Sequence, residues 1–211
     1  MRISLIGMSN VGKTYWSKKL EVKGFHRLGC DDIIEQKLEK ELKKQGYSGI
    51  NDVAKWLGQP YEERYYKNSQ KYLFFEKQAV ITIIQKIKTY YNNHEKLVVD
   101  TTGSVIYLEK EIIDKLKKHT IMVYLDTPSS VQKKMFVSYI QNPKPVIWGD
   151  NFNKQKEQSN LQALKINYPK LLAYRTLKYK QYADINIDYA FQRSKQVTTN
   201  NFIDFIQSQQ K

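Results

Sequence analysis

Near the amino terminus, Gly7-Met8-Ser9-Asn10-Val11-Gly12-Lys13-Thr14 has the spacing G-x-x-x-x-G-K-[ST]. It follows Arg2–Ile6, a short run with β-branched residues, and precedes a stretch able to form a helix. That context is what the spacing needs: a strand delivers the loop, and the helix carries its last residues. Phosphate oxygens need many donors converging from one side. Glycines let the backbone turn tightly with its N–H groups inward, and Ser9, Asn10 and Val11 sit on the same concave turn. The helix opening near Gly12 adds the positive end of its dipole. Lys13 can reach the β- and γ-phosphates, and Thr14 can offer its hydroxyl to Mg²⁺. Gly7, Ser9, Asn10, Val11, Gly12, Lys13 and Thr14 are therefore the nucleotide-binding candidates.

A chain of 211 residues suits one domain with a proper core, and its 41% hydrophobic content is that of a soluble globular protein. The residues before Gly7 are too few for the apolar segment of a signal peptide. The longest apolar run, Ala79–Ile84, is far short of a membrane span. Cys30 is the single cysteine, so no intramolecular disulfide forms. The expectation is a cytoplasmic protein, monomeric or homodimeric, with no membrane partner. The formal net charge of +14 admits nucleic acid as a partner. The lysines are spread along the chain, however, and Lys37–Lys44 mixes both signs as a solvated helix face does. Steering of a small phosphorylated or anionic ligand is the favoured reading, with nucleic acid secondary.

Along the chain, helical and extended patterns alternate. A helix through Tyr15–Leu20 ends at Gly24, and Phe25–Leu28 reads as a strand. Ile33–Lys44 is an amphipathic helix, and Asn51 can cap a short helix after it. Tyr61–Tyr91 is a long helix, or two end to end, with Tyr66, Leu73, Val80, Ile84, Ile87 and Tyr91 on one stripe. Glu76 falls on that stripe, either as a buried partner for a basic residue or at its edge. A turn at Asn92-Asn93-His94 leads to the strand Leu97–Val99. A helix over Val105–Lys118, a strand over Ile121–Leu125 and a helix over Ser129–Ile140 follow. Two helices, Asn160–Leu172 and Arg175–Tyr182, are jointed at Pro169. Ala183–Asp188 is the fifth strand, and a helix ends the chain near Gln207. Residues 1–211 thus form one domain, with a helical substrate-side region over about 46–93. Alternation of this kind means a parallel sheet with right-handed crossovers, and ligands bind beyond its carboxyl edge.

The polar clusters converge on that edge. Strand one ends in the phosphate loop, strand two in Asp31-Asp32, and strand three in Asp100-Thr101-Thr102-Gly103. Asp100 follows three apolar residues, the Walker-B arrangement that holds Mg²⁺ or its water near Thr14; a helix-capping aspartate is the other reading. Of Asp31 and Asp32, one can face an acceptor hydroxyl while the other caps a helix, or both merely cap. Asp100-Thr101-Thr102-Gly103 also matches D-x-x-G, but Asn153-Lys154-Gln155-Lys156 lacks the aspartate of the guanine-reading N-K-x-D. Gln141–Asn160, basic at Lys144, Lys154 and Lys156, is a candidate lid over about 141–160; Trp148, Pro143 and Pro145 could instead make it a rigid packed loop. Arg175, one turn before Tyr179, can hold an anionic group, or is an ordinary arginine.

These residues resemble the shikimate kinase-like branch of the small P-loop metabolite and nucleoside-monophosphate kinases, over nearly the whole chain. The resemblance rests on Gly7–Thr14, on Asp31-Asp32-Ile33-Ile34-Glu35, on the strand ending at Asp100-Thr101-Thr102-Gly103, and on Arg175 with Tyr179. It implies a three-layer α/β P-loop fold with a five-stranded parallel sheet in order 2-3-1-4-5, a lid, ATP and Mg²⁺. Asp31 takes the place of the aspartate near the acceptor hydroxyl, and Gly29 that of a second acid. Glu76 matches a glutamate of the long helix, but Leu73 stands where an arginine precedes it. Thr101-Thr102-Gly103 replaces a triple glycine. Taken with the reading of the residues, the candidate roles are Lys13, Asp31 and Arg175 in catalysis, Thr14 and Asp100 at the metal (Asp100 being a Walker-B acid that shikimate kinases often lack), and Asp31, Asp32, Glu76, Thr102, Gly103 and Arg175 around the acceptor. The nucleotide half is intact and the shikimate-holding half is altered. The expected activity is phosphoryl transfer to a small hydroxylated or phosphorylated metabolite. A nucleotide-binding switch, shikimate kinase itself and a nucleic-acid-associated kinase are the alternatives.

Overall fold

A computed structural model describes residues 1–90, 96–142 and 144–210. Five strands form one parallel sheet in the order β2-β3-β1-β4-β5. They are β1 (Arg2–Ile6), β2 (His26–Gly29), β3 (Leu97–Asp100), β4 (Ile121–Leu125) and β5 (Ile185–Ile187). The three central strands are apolar at almost every position because helices cover both faces, so side chains pointing either way meet protein. Ser4, in the middle strand, is buried and hydrogen-bonds the hydroxyl of Thr120 at 2.7 Å.

The helices are α1 (Lys13–Val22), α2 (Cys30–Lys44), α3 (Gly49–Leu57), α4 (Glu63–Tyr90), α5 (Lys110–Lys117), α6 (Ser129–Gln141), α7 (Asn160–Tyr182), α8 (Tyr189–Arg193) and α9 (Thr199–Ser208). The helix α1 packs on β2 and β3. Its Trp16 stacks on Phe202 of α9, with ring centroids 4.0 Å apart, so the carboxyl-terminal helix braces the helix that carries the phosphate loop. In the 46–93 region, α3 and α4 cover α2. Asn68 Nδ2 donates to Trp56 O at 2.6 Å, and Lys71 pairs with Glu41 at 2.6 Å.

Several elements differ from the sequence reading. Ser48, not Asn51, is the N-cap position of α3, and the Asp52 carboxylate reaches back to Ser48 N at 3.0 Å. On α4, Tyr66 is 75% exposed, while Tyr65 and Tyr72 are buried. Tyr65 turns inward because its hydroxyl donates to Val146 O at 3.1 Å and accepts from Trp148 N at 2.7 Å. The helix expected over Val105–Lys118 is a 3₁₀ turn, Val105–Tyr107, followed by α5; Leu108 and Glu109 between them are extended. Pro169 does not divide α7, which runs unbroken through it. Pro169 and Lys165 both lie on the exposed side, so water can satisfy the carbonyl that loses its helical donor. The sequence reading lacks α8, which Asp188 opens by accepting from Ala190 N at 2.7 Å and Phe191 N at 3.3 Å. Tyr91, the turn at Asn92–His94 and Pro143 lie outside the described residues. Among the described residues, no helix is long and apolar enough to cross a membrane.

Candidate active site

Gly7–Thr14 wraps the amino end of α1 at the carboxyl edge of the sheet. Gly7 and Gly12 have φ of +146° and +118°, and Asn10 sits at +63°, a left-handed position that asparagine tolerates. A Cβ on Gly7 would meet Leu125 O at 2.9 Å, so β4 itself demands glycine there. Lys13 lies back along the loop, donating to Gly7 O and Met8 O at 2.9 Å each. Burial lowers its pKa, against the opposing pull of Asp100 and Asp31. An ammonium held on neutral carbonyls in a desolvated loop is poised to exchange them for phosphate oxygens.

A cavity of about 430 Å³ opens in front of this loop. Ser9, Asn10, Gly12, Lys13, Thr14 and Tyr15 line one side; Asp31, Tyr72, Thr102, Gly103 and Ser104 line the other, with Lys144 and Pro145 at the rim. Asp31 and Asp32 both lie in the first turn of α2 and diverge. Asp31 lines the cavity, and its carboxyl pKa is pushed up to about 6 by burial and by Asp100 and Asp32, against Lys13 and Arg27. Asp32 instead pairs with Arg27 at 2.9 Å. Gly103 allows close approach: a Cβ there would meet Ser9 Oγ at 2.9 Å and Ser9 N at 3.2 Å.

Asp100, 4% exposed, accepts at a single oxygen, Oδ2, from Ser17 Oγ at 3.0 Å and Arg27 Nη2 at 3.1 Å. Burial works against the charge of Arg27, but Asp100 and Asp32 outweigh it and hold its pKa above the ordinary value. Glu76 is fully buried behind the acceptor wall, at the face of α4 where its spacing puts it. Among the described residues its contacts are hydroxyls rather than a basic side chain: Thr102 Oγ1 donates to Oε1, while Oε2 has no partner among them. Burial pushes its carboxyl up to about 8, against the hydrogen bond from Ser104.

Arg175 is also near the wall but does not line the cavity. It is 3% exposed, donates to Ile147 O at 2.6 Å and sits over the Tyr107 ring. Tyr179 donates to Gly103 O, so α7 supports the wall from behind. The centre of the 141–160 segment is packed: Ile147 and Trp148 are buried and tied to Tyr65 and Arg175. Lys154 and Lys156 are on its exposed part.

Two arginines were missed in the sequence. Arg27 lay inside a strand pattern, with no local signal. Arg193 lines the cavity from α8 and donates to Asn10 O at 3.1 Å and Val11 O at 3.0 Å. Asp188 before an apolar pair was the available cue to that helix.

No protein-family model and no curated protein matches the chain. Solved structures do. Shikimate kinase from Acinetobacter baumannii, in complex with shikimate, superposes with a TM-score of 0.57 at 21% identity, covering 98% of this chain and 90% of that one. Shikimate kinase from Bacteroides thetaiotaomicron gives 0.59 at 12% identity, covering 99% and 97%. Dephospho-CoA kinase from Campylobacter jejuni gives 0.52 at 14%, covering 98% and 96%. The fold is therefore that of the shikimate kinase-like P-loop kinases, with the sheet order that the resemblance implies.

Proposed function

We propose that this chain is an ATP-dependent kinase that phosphorylates a hydroxyl group of a small metabolite in the cytoplasm. One observation carries the reading: Lys13 and Thr14 of the phosphate loop face Asp31, a carboxyl of pKa about 6, across one cavity. The donor set fits a nucleotide polyphosphate. The glycine turns form a concave run of N–H groups, and the buried Lys13 is held by loop carbonyls that it can release. It also fits a hydrated Mg²⁺ brought in with the nucleotide: Thr14 in the cavity lining, and Asp100, which is buried and does not line the cavity itself, would hold it. When bound, MgATP supplies the γ-phosphoryl group and spreads its charge over the metal.

The chain's own residues do the rest. Lys13 and the loop amides bind and orient the phosphates and neutralise charge that builds up in transfer. Above pH 6, Asp31 is a carboxylate able to align the acceptor hydroxyl and take its proton. Thr102, Ser104 and Tyr72 offer hydroxyls to the acceptor, with Glu76 behind them. Asp32, held by Arg27, takes no direct part. Arg175 acts through Ile147, fixing the wall that ends in Lys144 and excluding water. Shikimate is not carried over as the acceptor, because Leu73 and the sequestered Arg175 leave no guanidinium on the Asp31 side of the cavity, and Arg193, on the phosphate-loop side, is committed to Asn10 O and Val11 O.

The deciding experiment is MgATP consumption with separate metabolite acceptors, shikimate and nucleoside monophosphates among them, with products read by mass spectrometry. The expected result is a gain of one phosphoryl group with a rate that falls below about pH 6. Lys13→Ala should lower that rate by about a hundred- to a thousand-fold while the circular dichroism spectrum stays native. Full activity in Lys13→Ala would overturn the reading. Tight nucleotide binding without transfer to any acceptor would favour the switch alternative.

A further inference from the structure

Beside the cavity, under the phosphate loop, four side chains from four parts of the chain form one closed network. Arg27 is at its centre. Nε donates to Ser17 Oγ at 3.1 Å, Nη1 to Asp32 Oδ2 at 2.9 Å and Nη2 to Asp100 Oδ2 at 3.1 Å. Ser17 in turn donates to the same oxygen of Asp100 at 3.0 Å and lies 3.1 Å from Thr14 O. Ser17 belongs to α1, so the network ties Asp100 to the helix that also carries Thr14.

The sheet register explains why it can form. Gly29 and Asp100 are partners on adjacent parallel strands, and Arg27 is opposite Val98, two residues before Asp100. Side chains alternate along a strand, so Arg27 and Asp100 point to the same face, one step apart. The space between them exists because residue 29 has no side chain. A Cβ on Gly29 would meet Asp32 Oδ2 at 2.2 Å and Arg27 Nη2 at 2.9 Å. Glycine there needs no special backbone angle; φ is −92°. It is required for room.

We propose that Arg27 is a positioning residue for metal-linked nucleotide binding. Its guanidinium commits Asp100 Oδ2 and turns Oδ1, which has no hydrogen bond among the described residues, toward the hydration shell of the cation. This rests on the MgATP reading above. The planar guanidinium fixes three directions at once, which a single ammonium cannot do. A partner that orients a ligating carboxylate typically changes metal affinity by about 10- to 100-fold when removed.

The test measures ATP affinity by calorimetry with MgCl₂ and again with EDTA. Wild type, Arg27→Ala, Arg27→Lys and Ser17→Ala are compared, each with a ligand-free melting curve. Wild type should bind ATP more tightly with Mg²⁺. Arg27→Ala should lose about tenfold or more of that gain, and its affinity in EDTA should stay within about twofold of wild type. Arg27→Lys should recover part of the gain, and Ser17→Ala should lose part of it. If Arg27→Ala melts earlier but keeps the full Mg²⁺ gain, Arg27 is only structural and the inference falls. If Arg27→Ala does not fold, Arg27→Lys and Ser17→Ala decide, and an unchanged gain in both overturns it. A wild type that binds no ATP in either condition sinks the kinase reading along with it, whereas Mg²⁺-linked binding untouched by these variants sinks the inference alone.

Discussion

Glu76 is a carboxyl group with no exposed surface, and burial lifts its pKa from 4.5 to about 8. The folded protein therefore holds this proton more tightly than the unfolded chain does. Stability is greatest where both states are protonated, and it declines as pH rises from the unfolded value through about 8. The sign is the reverse of an ion-paired aspartate. Glu76→Gln keeps the shape and the oxygen that Thr102 donates to, and it cannot ionise. The variant should lose less melting temperature than wild type between pH 5 and pH 8, with the gap widening toward the alkaline end. Parallel melting profiles across that range would show that Glu76 is not desolvated as the fold implies. The same reasoning separates the two acidic groups of the site by task. Asp31, at about 6, can be ionised at neutral pH and serve as a base, while Glu76 is largely a neutral hydrogen-bonding strut at that pH.

At the scale of elements, α7 carries a residue that helix chemistry disfavours. Pro169 removes one N–H and costs up to about 3 kcal/mol in a helix interior. Here the orphaned carbonyl is on the wet side, so the helix survives, but its stability is not optimal. Pro169→Ala should raise the unfolding free energy by about 1–2 kcal/mol in urea titrations, with nucleotide affinity unchanged; an unchanged or lower midpoint would mean that the proline relieves a packing conflict. This helix also marks the limit of what could be read in the sequence. The breaker rule is local, and whether it applies depends on which face the residue shows to water. Tyr66 failed for a similar reason: a seven-residue spacing does not distinguish it from Tyr65, and only the bonds of Tyr65 to residues 146 and 148 settle which one turns inward. By contrast, the phosphate loop and the parallel sheet were legible because each follows from a local pattern, a short motif after a strand and strands alternating with helices, while the strand order came with the family resemblance. The partners from distant strands and helices were not. Arg27 meets Asp100 across a register, and Arg193 reaches Asn10 from 183 positions away.

The whole molecule carries a net charge of +14, and the kinase proposed above would bind a polyanion at its site. The two facts are connected through the layout of the surface. Lys144 and Arg193 stand at the cavity, and an adjoining groove that shares Tyr15 with it is lined by Lys19, Lys23 and Lys195, with no acidic residue in its lining. Lys144 is half-buried and the other four are exposed, so these charges act at a distance and through salt. The field they make extends about 30 Å at 0.01 M ionic strength and about 10 Å at 0.1 M. Contacts inside the cavity are different. Lys13 is buried and pinned on the loop, so its interaction with a bound phosphate is shielded little by ions outside. Salt should therefore act on encounter more than on residence. Stopped-flow measurements with a fluorescent ATP analogue should show the association rate falling several-fold between about 20 and 300 mM KCl, with the dissociation rate changing less. Neutralising Lys19, Lys23 and Lys195 together should flatten that dependence without removing binding at low salt. An association rate that ignores salt would mean that the positive charge is not directed at the cavity, and a partner elsewhere on the surface would then have to account for it.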